Sequence, residues 1–152
     1  MIFIGIDPGL DGGLAAIYPN GNIYVTVMPT ERVGKKRQLD GCEIREWIHN
    51  NDVFECRSEP QKITIEKVHA MPGQGVTSMF NFGVGFGILR GICSGLGLSY
   101  DLVTPQAWQK VMLEGRGKGA KYEVAHELWP DVDFRATELI RCFLVIDKIL
   151  AA

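Results

Sequence analysis

Cysteine and histidine are scarce in this chain, and neither clusters. Cys42, Cys56, Cys93 and Cys142 stand far apart, without a CxxC pair or a nearby histidine pattern. That spacing argues against a zinc site or a disulfide framework, and a reducing compartment such as a cytoplasm, a nucleoid or an organelle matrix is expected. No basic stretch precedes the apolar N-terminus, so its first residues read as a strand and not as a secretion signal. Nor is there a long uncharged apolar run. Met79–Leu98 comes nearest, but Asn81 and the central Arg90 interrupt it, and arginine at a bilayer centre costs about 2.5–3.5 kcal/mol on insertion scales. The stretch reads as a buried helix of a soluble protein, with no membrane partner. Excess charge is missing too: a net charge of −2 excludes coating of a polyanion by bulk charge and leaves phosphate contacts to local basic strips.

What is present is an ordinary globular composition, 46% hydrophobic and 22% charged, with 18 glycines as the one excess. At 152 residues the chain is long enough to bury a core and too short for two lobes around a cleft, so a single domain over 1–152 is expected. Three strands are predicted first, Ile2–Asp7, Leu14–Tyr18 and Ile23–Met28. The Asn20-Gly21 pair between the last two signals a type I′ hairpin and hence antiparallel pairing. Arg32 to Gln38 reads as a basic linker. Asp40, with Glu43 three residues on, can then cap a helix whose apolar face carries Ile44, Trp47 and Ile48. Lys62–Glu66 alternates like a strand, the glycine-rich helix follows, and Tyr100–Val103 is the fifth strand. Helices are predicted at Gln106–Leu113, Ala120–Leu128 and about Ala136–Leu150. This order predicts an α/β fold, a five-stranded mixed sheet of three antiparallel strands followed by parallel ones, with helices on its faces.

Glycines at 83, 87, 91 and 95 form one row along the long helix. A row without side chains admits another backbone closely, either the sheet or a neighbouring helix of the same chain or the seam of a dimer.

Asp7 ends the first strand and Glu66 the fourth. If those strands pair in parallel, the two carboxylates converge at neighbouring strand ends. Two buried acids repel, and hard oxygen ligands in an open geometry suit Mg²⁺ or Mn²⁺. Alone, Asp7 could cap a strand and Glu66 could be a surface charge.

Their flanking sequence adds a resemblance. GIDPG at the start, TIEKV in the middle and VTPQAW after the next strand resemble the RuvC-type Holliday-junction resolvases of the RNase H-like superfamily, in particular the short phage and plant-organelle branch with its MPGQGVTSMFNFG loop. The resemblance spans nearly the whole chain. It implies a homodimeric, Mg²⁺-dependent endonuclease that nicks four-way DNA junctions, with Asp7 and Glu66 at the family's first- and fourth-strand carboxylates. Over the last helix the pattern departs: IDKILAA matches the shape of ADALLIA and puts Asp147 at the final carboxylate, while Phe143 and Leu144 occupy the places where an acid one turn earlier is expected. That departure leaves open a junction-binding protein with impaired cleavage.

Two basic clusters can meet phosphates: Arg32, Lys35, Lys36 and Arg37, and then Arg116, Lys118 and Lys121. Ordinary solvated surface charge explains either equally well. Phe80, beside the loop that follows Glu66, is the candidate for stacking on an unpaired base. His69 reads as a loop residue. His126, in HELWPD, lacks the second histidine of a zincin. Trp108 and Trp129 read as core. Two further readings are a nuclease acting on structured RNA and, from the DPGLDGG loop, a phosphate loop of the actin-like kinases, which need two such domains.

Overall fold

A computed structural model of the chain describes residues 1–53, 61–67, 69, 73, 75–113 and 115–130. The predicted last helix, with Asp147, lies outside the described residues.

Alternation in the first strand, β1 (Ile2–Asp7), builds both sides of the molecule. Ile2, Ile4 and Ile6 point into one apolar cluster, while Phe3 packs against another on the opposite face. An apolar residue at every position before the terminal Asp7 is the pattern of a strand covered on both faces. β2 (Gly13–Ile17) and β3 (Ile23–Val27) continue from β1 as antiparallel neighbours. β4 (Thr30–Val33) and β5 (Lys36–Leu39) form a separate two-stranded hairpin. After α1 (Gly41–Val53), β6 (Gln61–Glu66) pairs in parallel with β1, and β7 (Tyr100–Val103) in parallel with β6. The order across the main sheet is β3-β2-β1-β6-β7, the five-stranded mixed sheet expected from the sequence.

Helices cover both faces. Ile44 and Ile48 of α1 and Leu89 and Cys93 of α2 (Val76–Gly95) pack on Ile2, Ile4, Ile6, Ile63 and Ile65. Trp108 and Met112 of α3 (Pro105–Met112) and Val124 and Ala125 of α4 (Lys121–Leu128) pack on Ala15 and Val103 across the sheet. A short 3-10 turn, Lys118–Ala120, precedes α4. The predicted cap of α1 is present: Asp40 Oδ1 accepts from the N–H groups of Cys42 at 3.0 Å and Glu43 at 2.9 Å.

Three expectations are corrected. The linker at Arg32 to Gln38 is the β4–β5 hairpin, with Arg32 opposite Arg37 and Val33 opposite Lys36. The β2–β3 turn is not type I′. Tyr18 C=O accepts from Gly21 N–H at 3.0 Å, which makes Pro19 and Asn20 the central residues. Proline cannot take positive φ, so the left-handed position falls one residue later, on Gly21 at φ 85°. Finally, α2 is not a buried helix. Among its residues Gly85, Leu89 and Cys93 are buried, whereas Val76, Phe80 and Val84 are 79%, 70% and 47% exposed. Its length and apolarity would let it cross a membrane, yet one stripe of it packs on the sheet. Gly83, Gly87, Gly91 and Gly95 have no other heavy atom within 4 Å of an added Cβ, so among the described residues the glycine row packs on nothing.

Candidate functional site at the β1 and β6 strand ends

Strand pairing brings Asp7 and Glu66 together. In the parallel ladder Ile6 stands opposite Ile65, so the next residues, Asp7 and Glu66, end neighbouring strands side by side. Adjacent strands lie about 4.8 Å apart. Parity then sets the face: Asp7 follows Phe3 and Gly5 by twos, Glu66 follows Lys62 and Thr64, and both point to the side that carries α3 and α4. Both are nearly buried, Asp7 at 6% and Glu66 at 8% exposure.

Each acid is held locally. The chain turns sharply after Asp7, with Gly12 N–H donating to the Gly9 carbonyl at 2.9 Å, and Gly9 N–H approaches Asp7 Oδ1 at 3.4 Å. The turn closes directly over the strand end: a Cβ on Gly12 would stand 2.1 Å from the Asp7 carbonyl oxygen, so glycine is required there. Glu66 Oε2 accepts a hydrogen bond from Trp108 Nε1–H at 3.1 Å, in the interior. Thr104 sets the register of that tryptophan. Its hydroxyl oxygen accepts from Ala107 N–H at 3.2 Å as the N-cap of α3, and Pro105 follows at the first helical position. Lys121, at the start of α4, places its ammonium 5.3 Å from the centre of the Trp108 ring.

Trp108 is therefore both core and site, where the sequence suggested core alone. The available signal was chemical: indole carries one N–H donor, and a buried tryptophan usually finds an acceptor for it. Helical periodicity reports only the buried face and cannot name a partner 42 residues away.

Two buried carboxylates at adjacent strand ends are a hard-oxygen donor pair of the kind that binds Mg²⁺ through one or two carboxylates and several waters. Thr64 lies two residues before Glu66 on the same face, and its hydroxyl is buried without a hydrogen-bond partner among the described residues. An orphaned buried oxygen on the same face as the two acids marks this part of the sheet as polar. The donor set thus fits a hard divalent cation. Among the described residues no group of three histidine, cysteine, aspartate or glutamate side chains gathers, and the expected third acid, Asp147, lies outside them.

The other residues singled out in the sequence are dispersed. Arg32, Lys35, Lys36 and Arg37 lie on the β4–β5 hairpin, all exposed. Arg37 reaches back to the turn after Asp7, donating to the Leu10 carbonyl at 2.7 Å and pairing with Asp11. The hairpin is thereby tied to the strand end that carries Asp7, a link between residues 26 and 27 positions apart that no local pattern contains. Arg116 is paired with Glu127 at 2.8 Å. The side chain of Lys118 lies outside the described residues. Phe80 and His69 are exposed, and His126 packs its ring against Tyr122 with centroids 4.5 Å apart.

No family model and no curated protein matches this chain. Solved structures do. A Thermus thermophilus RuvC in complex with a Holliday-junction substrate superposes with a TM-score of 0.61 at 16% identity, over 96% of this chain and 90% of that one. A second T. thermophilus RuvC structure gives 0.57 at 16% identity, over 96% of this chain and 91% of that one. The yeast mitochondrial Holliday-junction resolvase Ydc2 gives 0.52 at 13% identity, over 95% of this chain and 75% of that one. At such identities the likeness is one of fold, and the fold is the RuvC type of the RNase H-like sheet that the sequence motifs imply.

Proposed function

We propose that this chain is a metal-dependent endonuclease for four-way DNA junctions and works as a homodimer. One observation carries the reading: Asp7 and Glu66, 59 residues apart in sequence, end adjacent parallel strands on one face, both nearly buried. Burying two carboxylates together is unfavourable unless a cation compensates them. The RuvC-type sheet in which they sit supports the choice of junction DNA as substrate.

Asp7 and Glu66 would hold Mg²⁺ or Mn²⁺, with Asp147 as the third ligand that the sequence resemblance implies. Such an ion, when bound, supplies a water of lowered pKa and charge stabilisation at the scissile phosphate. The protein's own part is positional. The Gly9–Gly12 turn fixes the Asp7 backbone, and the Trp108 indole, donating to Glu66 Oε2, orients the Glu66 carboxylate. Lys121, held over Trp108, puts a positive charge near the incoming phosphate. Lys35, Lys36 and Arg32 on the hairpin contact the DNA backbone further out, and Phe80, exposed on α2, stacks on an unpaired base. The uncovered glycine row of α2 supplies the seam where a second copy packs.

A labelled synthetic four-way junction with Mg²⁺ or Mn²⁺ tests this: paired nicks at symmetric positions are expected, and Glu66→Gln should bind without cutting. A second reading, junction binding without cleavage, is favoured by the apolar Phe143 and Leu144 where an acid is expected. Binding without nicks in either metal, with nicking restored by Leu144→Asp, selects that reading. Cleavage of RNA hairpins in preference to junction DNA would overturn the substrate assignment.

A further inference from the structure

At the same end of the sheet as Asp7, but on the α2 side, lies a cavity of about 350 Å³. That volume is at the small end of the roughly 300–1,000 Å³ typical of small-ligand pockets. Its walls come from three elements that are distant in sequence: the turn after Asp7 (Pro8, Leu10), strand β5 and residues of α2 between Ser78 and Ile88. The floor is apolar, with Leu39 buried and Ile88 half-buried. Packing beneath it is close, since a Cβ on Gly85 would meet the Leu39 side chain at 3.2 Å.

The polar groups gather at the rim. Asn81 is exposed there, and its side-chain amide makes no hydrogen bond among the described residues. Gln38, also lining the cavity, gives its Nε2–H to Glu31 Oε1 at 2.8 Å. Lys36 supplies the charge, Arg37 being already paired with Asp11, and among the described residues no acidic side chain lines the cavity. A ligand matching all three features has a flat apolar face, an edge of adjacent donors and acceptors, and a negative charge within a few ångströms.

We propose that this cavity receives one unstacked nucleotide of the DNA, its base against Leu39 and Ile88, its edge on the Asn81 and Gln38 amides, and its phosphate at Lys36. The inference rests on the nuclease reading above and adds a base contact to it. The Arg37 tether to Leu10 and Asp11 gives that contact a consequence: the nucleotide held on the hairpin is registered against the strand end that bears Asp7. Amide groups of this kind discriminate between bases, because a site built to hydrogen-bond one edge leaves polar groups unpaired against another.

The test uses the full chain in EDTA, so that binding is read without cleavage, and four-way junctions carrying 2-aminopurine at successive positions around the crossover. One position should brighten on binding as that base leaves the stack. Ser78→Trp, which fills the mouth of the cavity from α2, should abolish the brightening and weaken binding by about tenfold. Asn81→Leu, on the exposed surface and harmless to folding, should reduce the brightening and level cleavage rates among junctions that differ at that base. Binding with no position brightening, or brightening that survives both substitutions, overturns the pocket and leaves the nuclease reading intact. A chain that binds no junction at all overturns both.

Discussion

Replacing Trp108 with phenylalanine separates packing from positioning at the Glu66 carboxylate. Trp108 is 1% exposed and donates to Glu66 Oε2 at 3.1 Å. Phenylalanine keeps an aromatic ring in the α3 cluster but has no donor. A hydrogen bond to a charged group contributes about 1.5–3 kcal/mol, and the buried oxygen that loses it retains its desolvation cost. The smaller ring leaves a cavity as well, and large-to-small changes in a core cost further in proportion to the void. Without metal, the expected loss of unfolding free energy is about 2–4 kcal/mol. The second consequence concerns the ion. Groups behind a metal ligand typically cost 10–100-fold in affinity when removed, so the Mg²⁺ concentration for half-maximal cleavage should rise by about that factor, with a smaller change at saturation. Urea unfolding in EDTA measures the first effect, and junction cleavage over a Mg²⁺ series the second. Calorimetric Mn²⁺ binding reads the ion without requiring turnover. Trp47→Phe is the control, because Trp47 packs on the cluster across the sheet. A Trp108→Phe protein that loses stability but keeps its metal midpoint would refute the positioning role and leave Trp108 as core alone.

Three further outcomes are expected. Gly12→Ala forces a Cβ to within 2.1 Å of the Asp7 carbonyl oxygen, so a loss of about 3 kcal/mol or more, at the upper end of overpacking costs, should appear in urea unfolding. Gly87→Ala meets nothing in the described residues; it should stabilise the monomer by about 0.8–1 kcal/mol of helix propensity and weaken self-association in sedimentation if the glycine row is a dimer seam. Burial pushes the Cys93 thiol up from 9.0 to about 11. Between those values the unfolded chain has lost a proton that the folded chain retains, so stability should fall as pH rises from about 9 to 11. At pH 8, peptide mapping after alkylation should find Cys42, which is exposed, labelled far ahead of Cys93.

The five strands of the main sheet and their order along the chain were legible in the sequence, and Asp7 and Glu66 could be picked out as strand-end acids. Those features rest on local signals. Ile2, Ile4 and Ile6 alternating with Phe3 specify a strand covered on both sides, Asp40 and Glu43 start α1, and the β6-α2-β7 order favours parallel pairing of those two strands, whereas the sequence leaves the parallel pairing of β1 with β6 as a condition only. Parallel pairing in the observed register, with Ile6 opposite Ile65, brings the last residue of each strand beside the other. The β4–β5 hairpin was harder to read because Arg32, Lys35, Lys36 and Arg37 carry no apolar alternation, and an exposed two-stranded ribbon has no buried face to reveal it. Which side chains serve the acids depends on contacts made across the fold. The Trp108 donor to Glu66 spans 42 residues and the Arg37 tether beside Asp7 spans 26, and neither leaves a periodic trace. The exposed face of α2 was decided in the same way: an apolar stretch reads alike whether it is buried by its own chain or left for another, because hydrophobicity records that a surface should leave water and not what covers it.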